Sequence, residues 1–147
     1  MKELIIHLDG VDKVGKDAIK KELVKVSNGK FLVVVRSFLS QIVYSKIYKR
    51  EIDSHFFINK MKKLAKDEDY YFFYLKATED VLKKRFKKHN EKDLKEEDIK
   101  YHIATFNDIV DYINTSNFWK IKINIIDTSN KTVKQAVKEI IKICSNE

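Results

Sequence analysis

The sequence predicts a single α/β domain in three layers, with a parallel sheet of about four strands flanked by helices. Short apolar runs, typical of buried strands, alternate along the chain with segments whose apolar residues recur at helical spacing. Alternating strands and helices form βαβ units, so the strands are expected to lie parallel and to be covered on both faces. The length of 147 residues fits one domain spanning 1–147.

The expected strands are the apolar runs Leu4–Leu8, Phe31–Val35, Tyr71–Leu75 and Trp119–Ile126. Helical spacing predicts helices at 17–26, 38–48, 52–66, 99–113 and 133–144, and one that follows Thr78 as its N-cap. Gly29 stands where the first helix is expected to stop. Residues 90–98 are polar and lack periodicity, which predicts an exposed loop.

The composition favours a basic, intracellular protein. A net charge of +8 is typical of proteins whose partners are rich in phosphate, although most of the lysines are expected only to solvate helix faces. The single cysteine, Cys144, excludes an intrachain disulfide and predicts a cytoplasmic location. Neither a signal peptide nor an apolar run of the ~20 residues that a membrane helix needs is found, so no membrane partner is expected.

Two of the three glycines frame a motif between the first strand and the first helix. Gly10, Gly15 and Lys16 complete the pattern G-x-x-x-x-G-K in that context. Glycine allows successive main-chain N–H groups to turn toward one anion, and the helix N-terminus adds partial positive charge. Lys16 would then reach the β- and γ-phosphates of a nucleoside triphosphate. The motif predicts a phosphate-binding loop (P-loop); the alternative is an ordinary strand-to-helix turn.

The position after Lys16 departs from the full motif. A Ser or Thr usually offers its hydroxyl to Mg²⁺ there, whereas this chain has Asp17 followed by Ala18. A carboxylate is a good ligand for Mg²⁺, so Asp17, with Asp9 or Asp12, is a candidate metal ligand. The alternative is that Asp17 caps the helix.

The loop and its surroundings resemble a known family. Asp9, Gly10, Asp12, Gly15 and Lys16 match, in order, the strand, acidic residue and G-x-D-x-x-G-K that open the thymidylate kinase family of P-loop nucleoside monophosphate kinases. The small viral and phage members are the most similar, and for a viral member the expected cytoplasm is that of the host. The resemblance implies the three-layer P-loop NTPase fold and ATP- and Mg²⁺-dependent phosphoryl transfer to a (deoxy)nucleoside monophosphate.

A second match concerns the acceptor side. Arg36, Ser40 and Tyr44 have the spacing of the family's D-R-x-x-x-S-x-x-x-Y, with Val35 in place of its acidic residue. The resemblance implies that Arg36 contacts the acceptor phosphate, and that Asp9, Ser40 and Tyr44 take part in binding the substrate.

Two further matches lie after the third and fourth strands. Residues 74–85 resemble the family's strand, small residue and helix that ends in an arginine at the start of a mobile lid. The resemblance implies that Arg85 neutralises charge during transfer and that the lid covers about 86–98. Asp127 and Thr128 are similar to the loop on the adenine side.

The resemblance implies catalytic roles for Lys16, Arg36 and Arg85. It implies ATP binding by Gly10, Asp12, Lys13, Val14, Gly15, Lys16, Asp17, Ala18, Asp127 and Thr128. The expected partners are nucleotide substrates; a homodimer stays open, and nucleic acid is not favoured.

Two alternatives remain. One is a kinase-derived protein that binds a nucleotide or a partner without catalysis, suggested by Val35, by Ala18 and by the 20 residues that separate Lys16 from Arg36, fewer than in the family. The other is a P-loop kinase that acts on a base in nucleic acid, suggested by the net charge of +8.

Overall fold

A parallel sheet forms the middle layer of the protein, seen in a computed structural model that describes residues 1–88 and 96–145. Its four strands are β1 Leu4–Asp9, β2 Phe31–Val35, β3 Tyr70–Lys76 and β4 Ile123–Asp127, in the spatial order β2-β1-β3-β4. Within the described residues, the helices are α1 Lys16–Val26, α2 Phe38–Ile47, α3 Ser54–Ala65, α4 Glu79–Lys88, α5 Glu96–Thr115 and α6 Val133–Ser145. The predicted α/β class is confirmed.

The core lies on both faces of β1 and β3, as the near-continuous apolar sequence of these strands predicts. Phe72, Phe73, Tyr74 and Leu75 are successive residues of β3, and all four are buried. Tyr74 stacks on Phe106 of α5 with ring centroids 5.5 Å apart, and its hydroxyl donates to the Asn107 side chain at 2.7 Å. These contacts pack β3 against α5.

The prediction for the start of β4 was wrong. Trp119 and Ile121 are buried, but pairing with β3 begins only at Ile123. Lys120 has a left-handed φ of 54°, which interrupts an extended strand. The alternation of apolar and polar residues at 119–123 therefore reflects burial of an irregular segment, not sheet pairing.

The predicted loop at 90–98 and the expected lid at about 86–98 are corrected at their ends. Residues up to Lys88 belong to α4, and α5 already begins at Glu96. The remaining residues, 89–95, lie outside the described part of the chain. The Thr78 cap is confirmed, since its hydroxyl oxygen accepts the Val81 N–H at 3.4 Å.

The turn from α1 to β2 is short. Gly29 has a left-handed φ of 78°, and its N–H donates to the Val24 carbonyl at 3.0 Å, which confirms the predicted helix stop. β2 follows this turn directly and lies at one edge of the sheet. Over the described residues, no helix is both long and apolar enough to cross a membrane.

At the opposite edge, a side chain takes the place of a neighbouring strand. The Asn114 amide of α5 donates to the Ile123 carbonyl at 3.0 Å and accepts the Ile123 N–H at 2.7 Å. Both outward backbone groups of the first residue of β4 are thereby satisfied.

We predict that Asn114→Ala lowers the free energy of unfolding by about 1–3 kcal/mol, because it leaves two part-buried backbone groups of Ile123 unpaired. Urea denaturation measures the change. Thr115→Ala removes an exposed hydroxyl one residue away and is the matched control, with an expected change within about 0.5 kcal/mol. Equal stabilities for the two variants would contradict the role given to Asn114.

Candidate functional site

The loop between β1 and α1 passes directly over β3. A Cβ added to Gly10 would lie 2.3 Å from the Leu75 carbonyl oxygen, so no side chain fits there. Gly15, at the N-cap of α1, has a left-handed φ of 106°, a conformation that favours glycine. The loop thus leads directly into α1, whose first N–H groups have no partner within the helix.

Lys16 folds back across this loop. Its ammonium donates to the Gly10 carbonyl and, at 3.3 Å, to the Val11 carbonyl. Lys16 is only 4% exposed, and this burial lowers its pKa to about 8 although the Asp12 carboxylate favours the charged form. In the protein alone, the cation is therefore held against neutral carbonyl oxygens.

A buried carboxylate ties the end of β1 to the start of α2. The Oδ1 atom of Asp9 accepts the N–H of Ser37 at 2.8 Å, the N–H of Ser40 at 3.1 Å and the Ser40 hydroxyl. Its Oδ2 atom accepts the Ser37 hydroxyl at 2.8 Å. Asp9 and Ser40 consequently face each other and do not line the pocket described below, so their expected metal- and substrate-binding roles stay predictions.

Arg36 occupies the junction that Asp9 fixes. It has a left-handed φ of 57°, uncommon for a residue other than glycine, and its N–H donates to the Leu8 carbonyl at 3.2 Å. This turn carries its side chain off the sheet and toward the loop, where the guanidinium lies 4.0 Å from the Asp12 carboxylate. Both side chains are 55% exposed, so the ion pair is weak and can be exchanged for another anion.

Arg85 of α4 bridges two loops. Its guanidinium donates to the Lys13 carbonyl at 3.0 Å and to the Thr128 carbonyl at 3.1 Å. Partial burial lowers its pKa. Thr128 is held in turn, because its hydroxyl lies 3.1 Å from the Val14 carbonyl and its N–H donates to the Lys76 carbonyl at 2.7 Å.

These elements surround one pocket of about 750 Å³. The sequence-predicted residues that line it are Asp12, Lys13, Val14, Gly15, Lys16, Asp17, Ala18, Arg36, Arg85 and Thr128. Residues that the sequence did not single out also contribute, namely Ile19, Lys131, Thr132, Val133 and Ala136. The last four lie in the loop that follows β4 and in the first turn of α6. Sequence reasoning could have found these residues from the rule that ligands bind at the carboxyl ends of parallel strands.

Three further predicted residues lie outside the pocket lining, namely Gly10, Tyr44 and Asp127. The Tyr44 ring packs edge-on against Phe106, and its buried hydroxyl has no hydrogen-bond partner within the described residues. This burial raises its pKa. Asp127 accepts the Ser129 N–H at 2.9 Å; although desolvation opposes the charged form, hydrogen bonds from Ser129 hold the pKa of this carboxyl below its ordinary value.

The charges that line the pocket suit a polyanion. Basic side chains are contributed by Lys13, Lys16, Arg36, Arg85 and Lys131, against the carboxylates of Asp12 and Asp17. Among the described residues, no group of three or more His, Cys, Asp or Glu side chains could hold a metal alone. Mg²⁺ commonly takes one or two carboxylates together with substrate phosphates, and the two aspartates fit that pattern.

We predict that Gly10→Ala abolishes binding of inorganic triphosphate, because the added methyl group forces the loop away from the Leu75 carbonyl. Isothermal titration calorimetry measures the binding. Gly29→Ala is the matched control: nothing lies within 4 Å of its added Cβ, so only stability should change, by about 1 kcal/mol. Undiminished affinity in Gly10→Ala, with folding intact, would contradict the loop's role.

Comparison with known proteins identifies a family and a fold. The model of the family described as Thymidylate kinase matches residues 24–140, most of the chain, beginning after the phosphate loop. A comparison with curated protein sequences finds no significant match.

Two solved structures are similar in fold. The YorR protein of Bacillus subtilis, in complex with phosphorylated GDP, has a TM-score of 0.79 at 18% identity, covering 96% of this chain and 95% of that one. Thymidylate kinase from Candida albicans has a TM-score of 0.62 at 14% identity, covering 98% and 92%. The fold is thus the P-loop kinase fold that the motif predicted, and viral or phage origin stays a prediction. On the family match, the chain belongs to the thymidylate kinase family.

Proposed function

We propose that this chain transfers the γ-phosphoryl group of ATP, in the presence of Mg²⁺, to a nucleoside or deoxynucleoside monophosphate. The observation that carries the proposal is the convergence of Lys16, Arg36 and Arg85, from three separate elements, on one pocket at the N-terminus of α1. Phosphoryl transfer needs little covalent chemistry from the protein. Positioning and charge neutralisation supply most of the rate, and these residues are suited to both.

The donor triphosphate would lie on the loop and the first turn of α1. Lys16 now donates to the neutral carbonyls of Gly10 and Val11. A phosphate oxygen carries charge and accepts a stronger hydrogen bond, so Lys16 would exchange these carbonyls for the donor phosphates. The base of the donor nucleotide would lie on the side of Thr128 and α6, where Val133 and Ala136 form an apolar wall.

Asp17 and Asp12 are the carboxylates in the pocket lining that would hold Mg²⁺. The ion would supply neutralisation of charge on the phosphate oxygens. Asp17 follows Lys16 in the chain, and its carboxylate favours the charged form of the Lys16 ammonium. Asp9 would contribute by fixing Ser37 and therefore Arg36, since its Oδ1 atom already accepts three hydrogen bonds.

The acceptor phosphate would bind Arg36. A phosphate offers two oxygens to the planar guanidinium, an arrangement stronger than the 4.0 Å pair with Asp12. The expected role of Tyr44 in binding the acceptor stays a prediction, because its hydroxyl is buried and the residue lies outside the pocket lining. The phosphorylated GDP bound by YorR is a reason to test purine as well as pyrimidine acceptors.

Arg85 would serve the group in transfer. A guanidinium has five N–H donors, and two carbonyls accept from Arg85 in the structure. The residue lines the pocket, so its remaining donors are near the phosphates. Its two hydrogen bonds to the loops would also hold the loops at a fixed separation while the phosphoryl group moves.

A second candidate is a nucleotide-binding protein without transferase activity. The favouring observation is that Arg36 and Arg85 both already contact protein groups, while Val35 leaves the acidic position of the acceptor motif without a carboxylate. Such a protein would bind ATP with the affinity of a kinase and produce no ADP beyond background. The assay below separates the two.

The experiment is a coupled assay of ADP formation with ATP, Mg²⁺ and each ribo- and deoxyribonucleoside monophosphate in turn. We expect turnover with at least one acceptor, and a loss of roughly a hundredfold or more in Lys16→Ala, because a charge placed on the transferring group is removed. Lys21→Ala, an exposed lysine farther along α1, is the matched control and should keep full activity. Wild-type turnover equal to that of Lys16→Ala would contradict the proposal.

We also predict a pH dependence of binding. The pKa of Lys16 is about 8 in the free protein, and bound phosphates would raise it because they favour the ammonium form. Affinity for a non-hydrolysable ATP analogue should therefore be constant below about pH 8 and fall by up to about tenfold for each further pH unit.

Calorimetry in buffers of different ionisation enthalpy measures this linkage, and near the pKa of Lys16 it should detect proton uptake on binding. Lys16→Arg keeps a permanent charge and should lose the uptake. Binding by the wild type without proton uptake would show that Lys16 does not meet the phosphates.

A further inference from the structure

A second surface of the protein, formed by α3 and by the segment between α5 and β4, exposes aromatic rings. Phe118 is 70% exposed, more than any other large apolar side chain among the described residues, and Phe56 and Tyr112 are 54% and 51% exposed. Exposed apolar residues that are scattered singly are normal, but these three are connected through one buried ring, that of Trp119. None of the four lines the pocket.

Trp119 connects the exposed rings. Its ring meets that of Phe118 edge-on with centroids 4.8 Å apart, and its Nε1 atom donates to the Tyr112 hydroxyl at 3.4 Å. On the side of α3, the His55 ring lies 5.6 Å from that of Trp119, and Phe56 follows His55 in the helix. These five side chains form the aromatic patch. The contacts with Trp119 hold Phe118 and Tyr112 in place, which lowers the entropic cost of binding to them.

Lysines lie over two rings of the aromatic patch. The Lys62 ammonium lies 5.0 Å from the centroid of the Phe118 ring and donates to the Phe118 carbonyl at 3.3 Å. The Lys60 ammonium lies 5.2 Å from the centroid of the Phe56 ring. An ammonium has three N–H donors, so each of these lysines keeps donors for an anion that lies against the patch.

The two segments that supply most of the patch carry only positive charge. Residues 54–66 and 116–122 contain six lysines and no aspartate or glutamate, in a chain that has 22 acidic residues. Lys60, Lys63, Lys120 and Lys122 are exposed, and Lys62 is half-buried against Phe118. A surface of one sign attracts a partner of the opposite sign and speeds its encounter.

We propose that the aromatic patch binds single-stranded nucleic acid, a function separate from the proposed phosphoryl transfer. Unpaired bases would stack on Phe118, Phe56 and Tyr112, while the phosphates between them bind Lys60 and Lys62. Proteins that bind single strands combine a positive surface with exposed aromatic side chains, because every base presents a face on which a ring can stack.

The combination of rings and lysines favours this partner over others. An acidic peptide would match the charge but gives no reason for three exposed rings, and the bases of a duplex are covered by their own stacking. A second copy of the chain would be repelled by the lysines of the same surface. A membrane helix of the interfacial kind inserts aliphatic side chains, whereas Ile58 and Met61 of α3 are buried in the core of the protein.

The patch and the pocket would be occupied independently. The segment that carries Phe118 and Trp119 leads into the amino end of β4, whereas the pocket lies at the carboxyl ends of the strands. A strand of nucleic acid on the patch therefore leaves the pocket open. We expect that a non-hydrolysable ATP analogue with Mg²⁺ does not displace the nucleic acid.

The test is fluorescence anisotropy of a labelled oligothymidylate titrated with the full chain. We expect binding that weakens steeply as salt is added, and similar binding of an oligouridylate, since neither stacking nor phosphate contact requires a 2′-hydroxyl. Phe118→Ala should raise the dissociation constant at least about fivefold, because a stacking platform is lost. Tyr101→Ala, which removes a half-exposed ring at the other end of α5, is the matched control and should leave the constant unchanged.

A lysine pair tests the phosphate contact. Lys62→Ala should lower the slope of the logarithm of affinity against the logarithm of salt concentration by about one, because one phosphate contact is lost. Lys21→Ala, at an exposed position of α1, should keep the slope of the wild type. Circular dichroism establishes that all four variants fold.

The chain has one tryptophan, so its fluorescence reports on the aromatic patch itself. We expect the oligonucleotide to change the emission of Trp119 saturably, with the dissociation constant that anisotropy gives. The proposal would be overturned by the absence of binding of either oligonucleotide at low salt, by displacement with the ATP analogue, or by equal weakening in Phe118→Ala and Tyr101→Ala. A duplex bound as tightly as the single strand would contradict the stacking. Binding of phosphatidylserine vesicles without binding of the oligonucleotides would assign the patch to a membrane surface.

Discussion

One buried carboxylate organises the arrangement on which the pocket depends. Asp9 ends β1 and accepts hydrogen bonds from both the main chain and the hydroxyls of Ser37 and Ser40. Such a buried charge is stable only when its oxygens are satisfied, so the start of α2 has one position relative to β1. Arg36 lies between the two and is obliged to turn with a left-handed φ. The hydrogen bonds of Asp9 therefore fix the position of Arg36, a cation of the pocket.

The three cations that the proposal uses each contact groups of the protein. Lys16 donates to loop carbonyls, Arg85 donates to the carbonyls of two loops, and Arg36 lies near Asp12. A phosphate outcompetes the partners of Lys16 and Arg36 by charge and by geometry, whereas Arg85 would keep its two carbonyls and use its remaining N–H donors. Lys16 and Arg36 would therefore be able to change partner without movement of the sheet.

Sequence reasoning succeeded where a residue type had few alternatives. Glycine is rare in this chain, so Gly10 and Gly15 marked the loop between β1 and α1, and the family motifs singled out Arg36 and Arg85, which line one pocket in the structure. It failed where the outcome depended on tertiary contacts. Nothing local to Asp9 shows that Ser37 and Ser40 will satisfy it, since that requires β1 to lie beside β2. The apolar pattern at Trp119 and Ile121 correctly indicated burial, but a left-handed Lys120 prevented a strand.

The central claim is that main-chain N–H groups of the loop and the first turn of α1 bind a triphosphate. Nuclear magnetic resonance of the ¹⁵N-labelled chain tests it most directly, with a non-hydrolysable ATP analogue and Mg²⁺ added in steps. The account predicts that the largest shifts, toward lower field, fall on amides between Lys13 and Ala18, because hydrogen bonds to phosphate deshield the amide proton. Saturable shifts confined to other regions, with these amides unmoved, would contradict it.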